Sequence, residues 1–574
     1  MAAMLPDGRR ISAHIPLAGR MIRAAERAAA IGASTNGAGV IDPSALMAGA
    51  ARSTAREWIA LPTLLILAAL ARLPDLATRG TWDADQGHDM LVLRALVRDG
   101  VIPLLGPPTS IGDVHHGAWY YFLLSPAAAL TGGDSPLVVV GFIALAGITA
   151  VGVVWWLGRS IGGPLAGLVA GLTMAVSIAA IDESTFIWNP NLIALSSAVA
   201  LAGTWRAWSG HDRRWWLVAA LGTAITMQLH VLGIALLPIV AVPLLLDARR
   251  RSLRRVTIGI GAIYFVAYLP LIINEATTGF SETHAALDYL AGGRTTNEAD
   301  VPVRFGIVGL RVISWPLTGL ITQGFVAASL ATVVVVVTAA WLARRPAPEQ
   351  TAARWLGAGL LWTVAFLTVA APSLATVVQG LPNDHYHAFA DPLVFVLVGL
   401  GVAAIARRAA GPAWPVVIGL TGIALVAVLS WNLTRLPPAA APDGGYPRAQ
   451  ASADRVEVAL TGAGIAPAAV VRLASLPAFK STEAMAYPLI RTGRPVVADV
   501  RDGVALGSTA DGGNPVALVL LCDDLFRAAI GARCGGPAES AITPDAGGTV
   551  WGVLLDRFEA APGRWVSVYG PAAT

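Results

Sequence analysis

The sequence predicts an α-helical polytopic membrane protein of about eleven spans with a small soluble α/β domain at its C-terminal end, on three observations. Hydrophobic residues make up 55% of the 574 and charged residues only 13%, with a mean hydropathy of +0.64, a balance foreign to soluble chains of this length. Apolar runs long enough to cross a bilayer recur from Trp58 to about Trp431. Beyond Trp431 that pattern stops, and a Pro/Ala/Gly stretch from Pro437 to Gly445 leads into short alternating segments of soluble character.

In chain order, residues 1–55 are polar and alanine-rich, carry no secretory signal pattern, and are expected to form a cytoplasmic, disordered tail. Apolar runs then start near Trp58, Pro136, Pro164, Leu192, Trp215, Val231, Val256, Leu320, Trp355, Pro392 and Ala413. The net charge of +4 comes almost wholly from arginine, Lys480 being the only lysine. Arginines cluster in short loops around Arg206, Arg249 to Arg255, Arg344 to Arg354, and Arg407, each separated from the next by two spans. Such a pattern reports orientation in a plasma membrane rather than nucleic-acid binding, and makes these loops and the N-terminus cytoplasmic. Loop parity then leaves the run Ala118 to Leu130 with both ends outside, as a helix lying along the interface, where Trp119, Tyr120, Tyr121 and Phe122 suit headgroup depth.

The remaining polar and irregular segments fall on the outer side: Pro74 to Ser135, Asp182 to Pro190, Asn274 to Thr318, Pro372 to Ala390 and the chain after Trp431. No glycine-rich phosphate loop or nucleotide motif lies on the arginine side, so a soluble nucleotide donor is not expected. In the tail, Val470 to Leu473, Val496 to Ala498, Val516 to Leu521, Val550 to Leu555 and Trp565 to Tyr569 read as strands, and Thr482 to Arg491 and Asp523 to Arg533 as helices. The division expected is 1–55 as tail, 56–432 as membrane domain and 433–574 as outer α/β domain. Cys522 and Cys534, the only cysteines, either bridge there or stay as buried thiols.

Chemistry concentrates after the first span. Trp82-Asp83-Ala84-Asp85-Gln86-Gly87-His88-Asp89 sets three carboxylates and a histidine at a membrane face, an expensive arrangement unless it is used. Asp89 is expected to cap an amphipathic helix over Met90 to Val97, which leaves Asp85 for catalysis, with Asp83, Asp89 and His88 as supporting groups on the acceptor side. A second cluster, Gly112-Asp113-Val114-His115-His116-Gly117, precedes the aromatic helix. No spacing here matches a zinc signature, so no cofactor is assigned; the metal arrangement left open is a hard divalent cation, magnesium or manganese, on Asp85 and Asp89 with substrate phosphate.

The order of span, acidic motif, amphipathic helix, Gly/Pro-rich turn, His116-Gly117-Ala118-Trp119-Tyr120-Tyr121-Phe122-Leu123-Leu124 and Gly133-Asp134-Ser135-Pro136 resembles the GT-C glycosyltransferases. More narrowly it is similar to the polyprenyl-phosphate-dependent branch with the protein mannosyltransferases and lipid A aminoarabinose transferases. The resemblance extends from Trp58 to about Leu400, through Phe186-Ile187-Trp188-Asn189-Pro190-Asn191 and His385-Tyr386-His387, and does not cover the tail. It implies two juxtamembrane helices in the first outer loop. It also implies inverting transfer of a sugar from a polyprenyl-phosphate carrier to a hydroxyl of a lipid, glycan or protein acceptor, within membrane lipid. Asp85 stands at the family's catalytic acidic position and would act as general base; Gln86 replaces the glutamate that usually follows.

For the donor phosphate and sugar, the resemblance points to His230, where relatives often carry lysine, and to His385, Tyr386 and His387, where they place arginine or tyrosine. His115, His116, Tyr120 and Asn189 join this set. The bland readings are a hydrogen-bonded helix-end histidine for His230, a membrane anchor for Trp188 and a helix cap for Asn189; Arg294 and Arg304 read as solvated loop charges. The competing functions are a lipid-linked sugar flippase and a membrane-anchored envelope-binding protein. Few charges at span centres and the absence of recognisable repeats speak against the first, and the number of spans against the second.

Overall fold

The computed structural model describes residues 55–574 except 110–113, 211, 292–298, 346–348, 376–385, 409–413, 478–481, 499–513, 532, 536–538, 540–550 and 572–574. The expected tail 1–55 therefore lies outside the described residues but for its last position, as do His385 and Arg294.

All eleven apolar runs form helices, because a backbone in hydrocarbon must satisfy its own polar groups; even the valine run in Phe325–Leu342, of strand-like composition, is helical. They are α1 (Ala55–Arg72), then, after the first loop, α4 (Pro136–Gly162), α5 (Pro164–Val176), α6 (Ile193–Gly210), α7 (Trp215–Leu229), α8 (Leu236–Ala248), α9 (Arg254–Thr278), α12 (Phe325–Leu342), α13 (Glu349–Ala370), α14 (Asp391–Arg407) and α15 (Trp414–Leu433). The loop itself contains α2 (Ala84–Arg94), the strands β1 (Leu105–Pro108) and β2 (His115–Gly117), and α3 (Trp119–Ala129). Among the described residues seven helices are long and apolar enough to cross a membrane, and three shorter apolar ones accompany them. The molecule is thus a multi-pass membrane protein. Its centre is the segment Ala388–Arg407, with 83% of its apolar window buried, whereas the helix Arg254–Thr278 lies at the edge of the bundle with only Ala267 and Asn274 buried. Arg407 donates to the Gly162 carbonyl at 2.7 Å and pairs with Glu349 at 2.5 Å, so the arginine-bearing ends of α4, α13 and α14 lie together.

One correction concerns the segment read as a loop from Asn274 to Thr318. It folds into α10 (Ser281–Ala291) and α11 (Val301–Thr318), and α11 joins the bundle against α12 and α13. The three enclose an apolar cavity of about 570 Å³ whose walls include Leu310, Val335 and Leu360. Arg304 and Arg311 hide α11 from a hydropathy reading. Yet Arg311 is buried, and its guanidinium donates to the Leu374 carbonyl at 2.9 Å, which makes burial tolerable.

The tail builds a five-stranded sheet, in order β4 (Val496–Ala498), β3 (Val471–Leu476), β5 (Ala517–Asp523), β7 (Arg564–Pro571), β6 (Trp551–Ala561). β3 runs parallel to β4 and β5, while β7 is antiparallel to both β5 and β6. Side chains alternate across the sheet: Val519 and Leu521 enter the same hydrophobic core as Trp82, Met90 and Leu93 of the first loop, and Leu518, Leu520 and Cys522 pack on the other face. A Cys522–Cys534 disulfide closes that second face. The helix read over Asp523 to Arg533 shrinks to a 3₁₀ turn, Asp524–Phe526, and one turn of α-helix, Arg527–Ile530, ended by Gly531 with φ +77. Two further helices, α16 (Gly445–Gly462) and α17 (Thr482–Arg491), complete the tail, and α17 packs against α2.

Candidate active site

The acidic helix does not start where its sequence suggests. Asp83, not Asp89, is the N-cap of α2: its side chain caps the first turn while Gln86 Oε1 accepts from the Asp83 backbone N–H at 2.8 Å, a reciprocal capping box. The expected cap at Asp89 is therefore corrected. Asp89 lies inside the helix and is buried, its two carboxylate oxygens accepting from Tyr120 at 2.8 Å and Tyr121 at 2.9 Å, both on α3. Asp85, between these fixed points, is half-buried. Burial, and then the Asp89 carboxylate, push the Tyr120 hydroxyl well above its ordinary range. The charge of Asp85 adds to that shift, so it stands near the same hydroxyl.

Gln86 also donates to the Ile187 carbonyl at 2.8 Å, tying α2 to the turn after α5. Beside Ile187, Trp188 packs on Phe186 and on Tyr386, with ring centroids 5.8 and 5.7 Å apart. Tyr386 stacks on His230 at 4.3 Å, and His230 meets His116 at 4.5 Å. Three predicted site residues on separate segments are thus gathered into one stack, His116 from β2, His230 from the α7 end and Tyr386 from the loop before α14, together with Trp188, which was expected as a membrane anchor. Asn189 is buried and donates to the Leu229 carbonyl at 2.6 Å, so its amide fixes the turn before His230 instead of capping the following helix.

The histidine tautomers follow from their partners. His116 Nδ1 accepts from the Val231 N–H at 3.3 Å and His230 Nδ1 from the Leu232 N–H at 3.1 Å, so each neutral ring carries its proton on Nε2. Burial, with His115 adding to it, lowers the His116 imidazole to about 3 and keeps it uncharged. Gly117 lets β2 approach α7, since a Cβ there would sit 2.0 Å from Gln228 Oε1. His115 points the other way, its Nδ1 2.8 Å from Glu282 Oε1 and its backbone N–H donating to Glu282 Oε2 at 2.7 Å.

Not every candidate joins the stack. His88 is buried against the tail, its Nδ1 4.0 Å from Glu483 Oε1. His387 is buried beside Trp315, at 5.6 Å, whose indole N–H donates to Glu183 at 2.7 Å. There burial raises the Glu183 carboxyl to about 8. Arg304 sits on α11. The cation reading on Asp85 and Asp89 does not fit: Asp89 has a tyrosine on each oxygen, and no group of three or more His, Cys, Asp or Glu that could hold a metal exists among the described residues. Glu282, Gln228 and Tyr121 were not singled out from sequence. Tyr121 could have been found from its place beside Tyr120 on the face that also buries Leu124 and Ala128, three to four residues apart.

Chemically the site offers a half-buried carboxylate in the first turn of a held helix, whose neighbour Gln86 is bonded to the turn that leads into a stack with two imidazole N–H groups and a phenol. Membrane bundle, juxtamembrane acidic helix and tail sheet together define the class, a multi-pass membrane protein whose fold is similar to that of a membrane oligosaccharyltransferase. Residues 115–273 match the family model described as dolichyl-phosphate-mannose-protein mannosyltransferase. This stretch contains His115, His116, Tyr120, Asn189 and His230 and leaves out Asp85 and Tyr386.

Similar solved structures include the Archaeoglobus fulgidus oligosaccharyltransferase tethered to an acceptor peptide containing the NVT sequon, at 13% identity, with 90% of this chain and 74% of that chain covered and a TM-score of 0.50. ArnT from Cupriavidus metallidurans bound to undecaprenyl phosphate is similar at 15% identity, over 90% of this chain and 98% of that one, with a TM-score of 0.48. The arabinofuranosyltransferase AftD from Mycobacteria is similar at 16%, over 92% of this chain and 40% of that one, with a TM-score of 0.49. The sequence finds no match among curated proteins.

Proposed function

We propose that this protein transfers a sugar from a polyprenyl-phosphate carrier to an acceptor hydroxyl at the extracytoplasmic face of the plasma membrane, with inversion at the anomeric carbon and Asp85 as general base. The observation that carries the proposal is a half-exposed carboxylate on α2 whose neighbour Gln86 is bonded to the turn that leads into the stack of Trp188, Tyr386, His230 and His116. As the acceptor oxygen attacks the anomeric carbon, its proton passes to Asp85, and the bond from that carbon to the phosphate oxygen breaks. The departing prenyl phosphate gains negative charge. The Nε2–H groups of His116 and His230 and the Tyr386 hydroxyl are the donors assigned to it, oriented before reaction by their own bonds. The name of the family matched over 115–273 contains a dolichyl-phosphate sugar, which supports a prenyl carrier for this chain as well.

Residues 56–432 are assigned to catalysis and 433–574 to an outer domain over the site. A disulfide in the tail belongs to an oxidising space, which supports an extracytoplasmic tail, and the arginine-bearing helix ends gathered together support a cytoplasmic opposite face. For the prenyl chain we assign the apolar cavity of about 590 Å³ between α5, α12, α14 and α15, lined by Val334, Val398, Leu425 and Trp431. The test is Asp85→Asn in purified protein. Transfer is expected to fall by about 10² to 10⁴-fold while donor binding stays intact; transfer at the wild-type rate overturns the base assignment.

A further inference from the structure

The residues around Asp85 are held from the far end of the chain. Trp82 Nε1 donates to the Ala484 carbonyl at 2.9 Å, and the Trp82 N–H donates to Asp443 Oδ2 at 2.9 Å. Its indole lies 4.6 Å from the Tyr446 ring and 5.6 Å from the Tyr487 ring. On the other side of Asp85, Gly87 lies against Glu483, close enough that a Cβ would meet the Glu483 carbonyl oxygen at 2.1 Å. The tail therefore grips α2 both before and after position 85.

Arg564, near the start of β7, closes this grip at the cap. One Nη2 lies 3.0 Å from Asp83 Oδ1 of the first loop and 3.6 Å from Asp523 Oδ2 of β5, and Nη1 donates to the Trp82 carbonyl at 3.4 Å. The Arg564 side chain is only 14% exposed, against 30% for Asp83. A guanidinium shared between two carboxylates in a partly buried position is more strongly bound than a surface pair, and its planar fork fixes direction as well as charge. Asp83 is the residue that sets where α2 begins, so its rotation or withdrawal would carry Asp85 with it.

We infer that Arg564 is a positioning residue for the transfer reaction, a tail side chain that sets the acidic helix, and thereby Asp85, against the acceptor. This rests on the reading of Asp85 as general base. It also gives the tail a part in catalysis itself: the domain that the family resemblance leaves uncovered supplies an anchor for the helix at its centre. An error of about 1 Å in such a group is enough to cost on the order of 10²-fold in rate.

The test uses the full-length protein in lipid nanodiscs, with polyprenyl-phosphate mannose and polyprenyl-phosphate arabinose as donors and rates normalised to donor-binding protein, so that misfolded material does not count. Arg564→Gln is expected to lower kcat by about tenfold or more with the donor KM changed by less than about twofold, and Arg564→Lys to recover part of the loss. Asp83→Asn keeps a capping side chain but removes the charge, so it is expected to reproduce the Arg564→Gln loss, and the double variant to be no worse than either single one. An unchanged kcat in Arg564→Gln, a loss confined to KM, or additive losses in the double variant overturns the positioning role. Asp85→Asn measured in parallel separates the two readings. Wild-type transfer in that variant overturns both, whereas its loss alongside full activity of Arg564→Gln removes the positioning role alone.

Discussion

At the level of single residues, the loop after the first span shows how burial sorts three neighbouring carboxylates. Asp83 is used by the helix start and by Arg564, Asp89 by two tyrosines, and Asp85 keeps an exposed edge. Removing one donor from a buried carboxylate leaves it short of a bond to a charged group, so Tyr120→Phe or Tyr121→Phe is expected to destabilise the protein by about 1.5–3 kcal/mol. Because the two phenols share one acceptor, the double variant should depart from additivity. Thermal unfolding of the purified variants checks this; melting temperatures equal to wild type would mean that Asp89 is not held in this way. The expectation that Asp85 precedes the helix is corrected, since Asp85 lies in the first turn of α2, whose start the pattern Asp83-x-x-Gln86 of a capping box marks. Asp89 was mistaken for the cap because the apolar run starts after it, whereas the helix includes a polar first turn. Gln86, a departure from the family pattern, has its own work here: it closes the cap and reaches Ile187.

At the level of elements, hydrophobic periodicity located the eleven apolar helices, and loop parity singled out the aromatic segment that becomes α3. The helix α11 escaped because Arg304 and Arg311 interrupt its apolar run, although a carbonyl of another segment satisfies Arg311. The strands of the tail were legible to within a few residues because alternation over a two-faced sheet has a period of two. The meeting of α2 with α17 was not, since nothing local in either segment encodes a partner some four hundred residues away. Gly87 gives this contact a decisive test. In an isolated helix, alanine would be favoured over glycine by about 1 kcal/mol, yet here a Cβ would meet backbone of α17. Gly87→Ala is accordingly expected to lower stability, by roughly 1–3 kcal/mol, and to expose the segment 433–445 to limited proteolysis. A variant as stable and as protease-resistant as wild type would contradict the close packing.

On the scale of the whole molecule, the tail and the membrane bundle share one hydrophobic core, and the described residues form a single compact unit. The sequence suggested a separable module after Trp431, because the linker is rich in proline and glycine. In the folded chain that linker is bonded to the first loop, Thr78 donating to the Ala439 carbonyl at 2.6 Å and Ala441 donating to the Thr78 carbonyl at 2.8 Å. Residues distant in sequence thereby surround one half-exposed acid.

The central claim is that a bond to the carrier is broken at this site, and release of carrier measures that directly. Purified protein in nanodiscs, given radiolabelled polyprenyl-phosphate sugars and candidate acceptors, should liberate polyprenyl phosphate in proportion to glycosylated product, and Asp85→Asn should abolish both. Recovery of the donor intact after incubation with every sugar and acceptor tried, or its passage across a liposome bilayer without cleavage, would contradict the account and leave a transporter in its place.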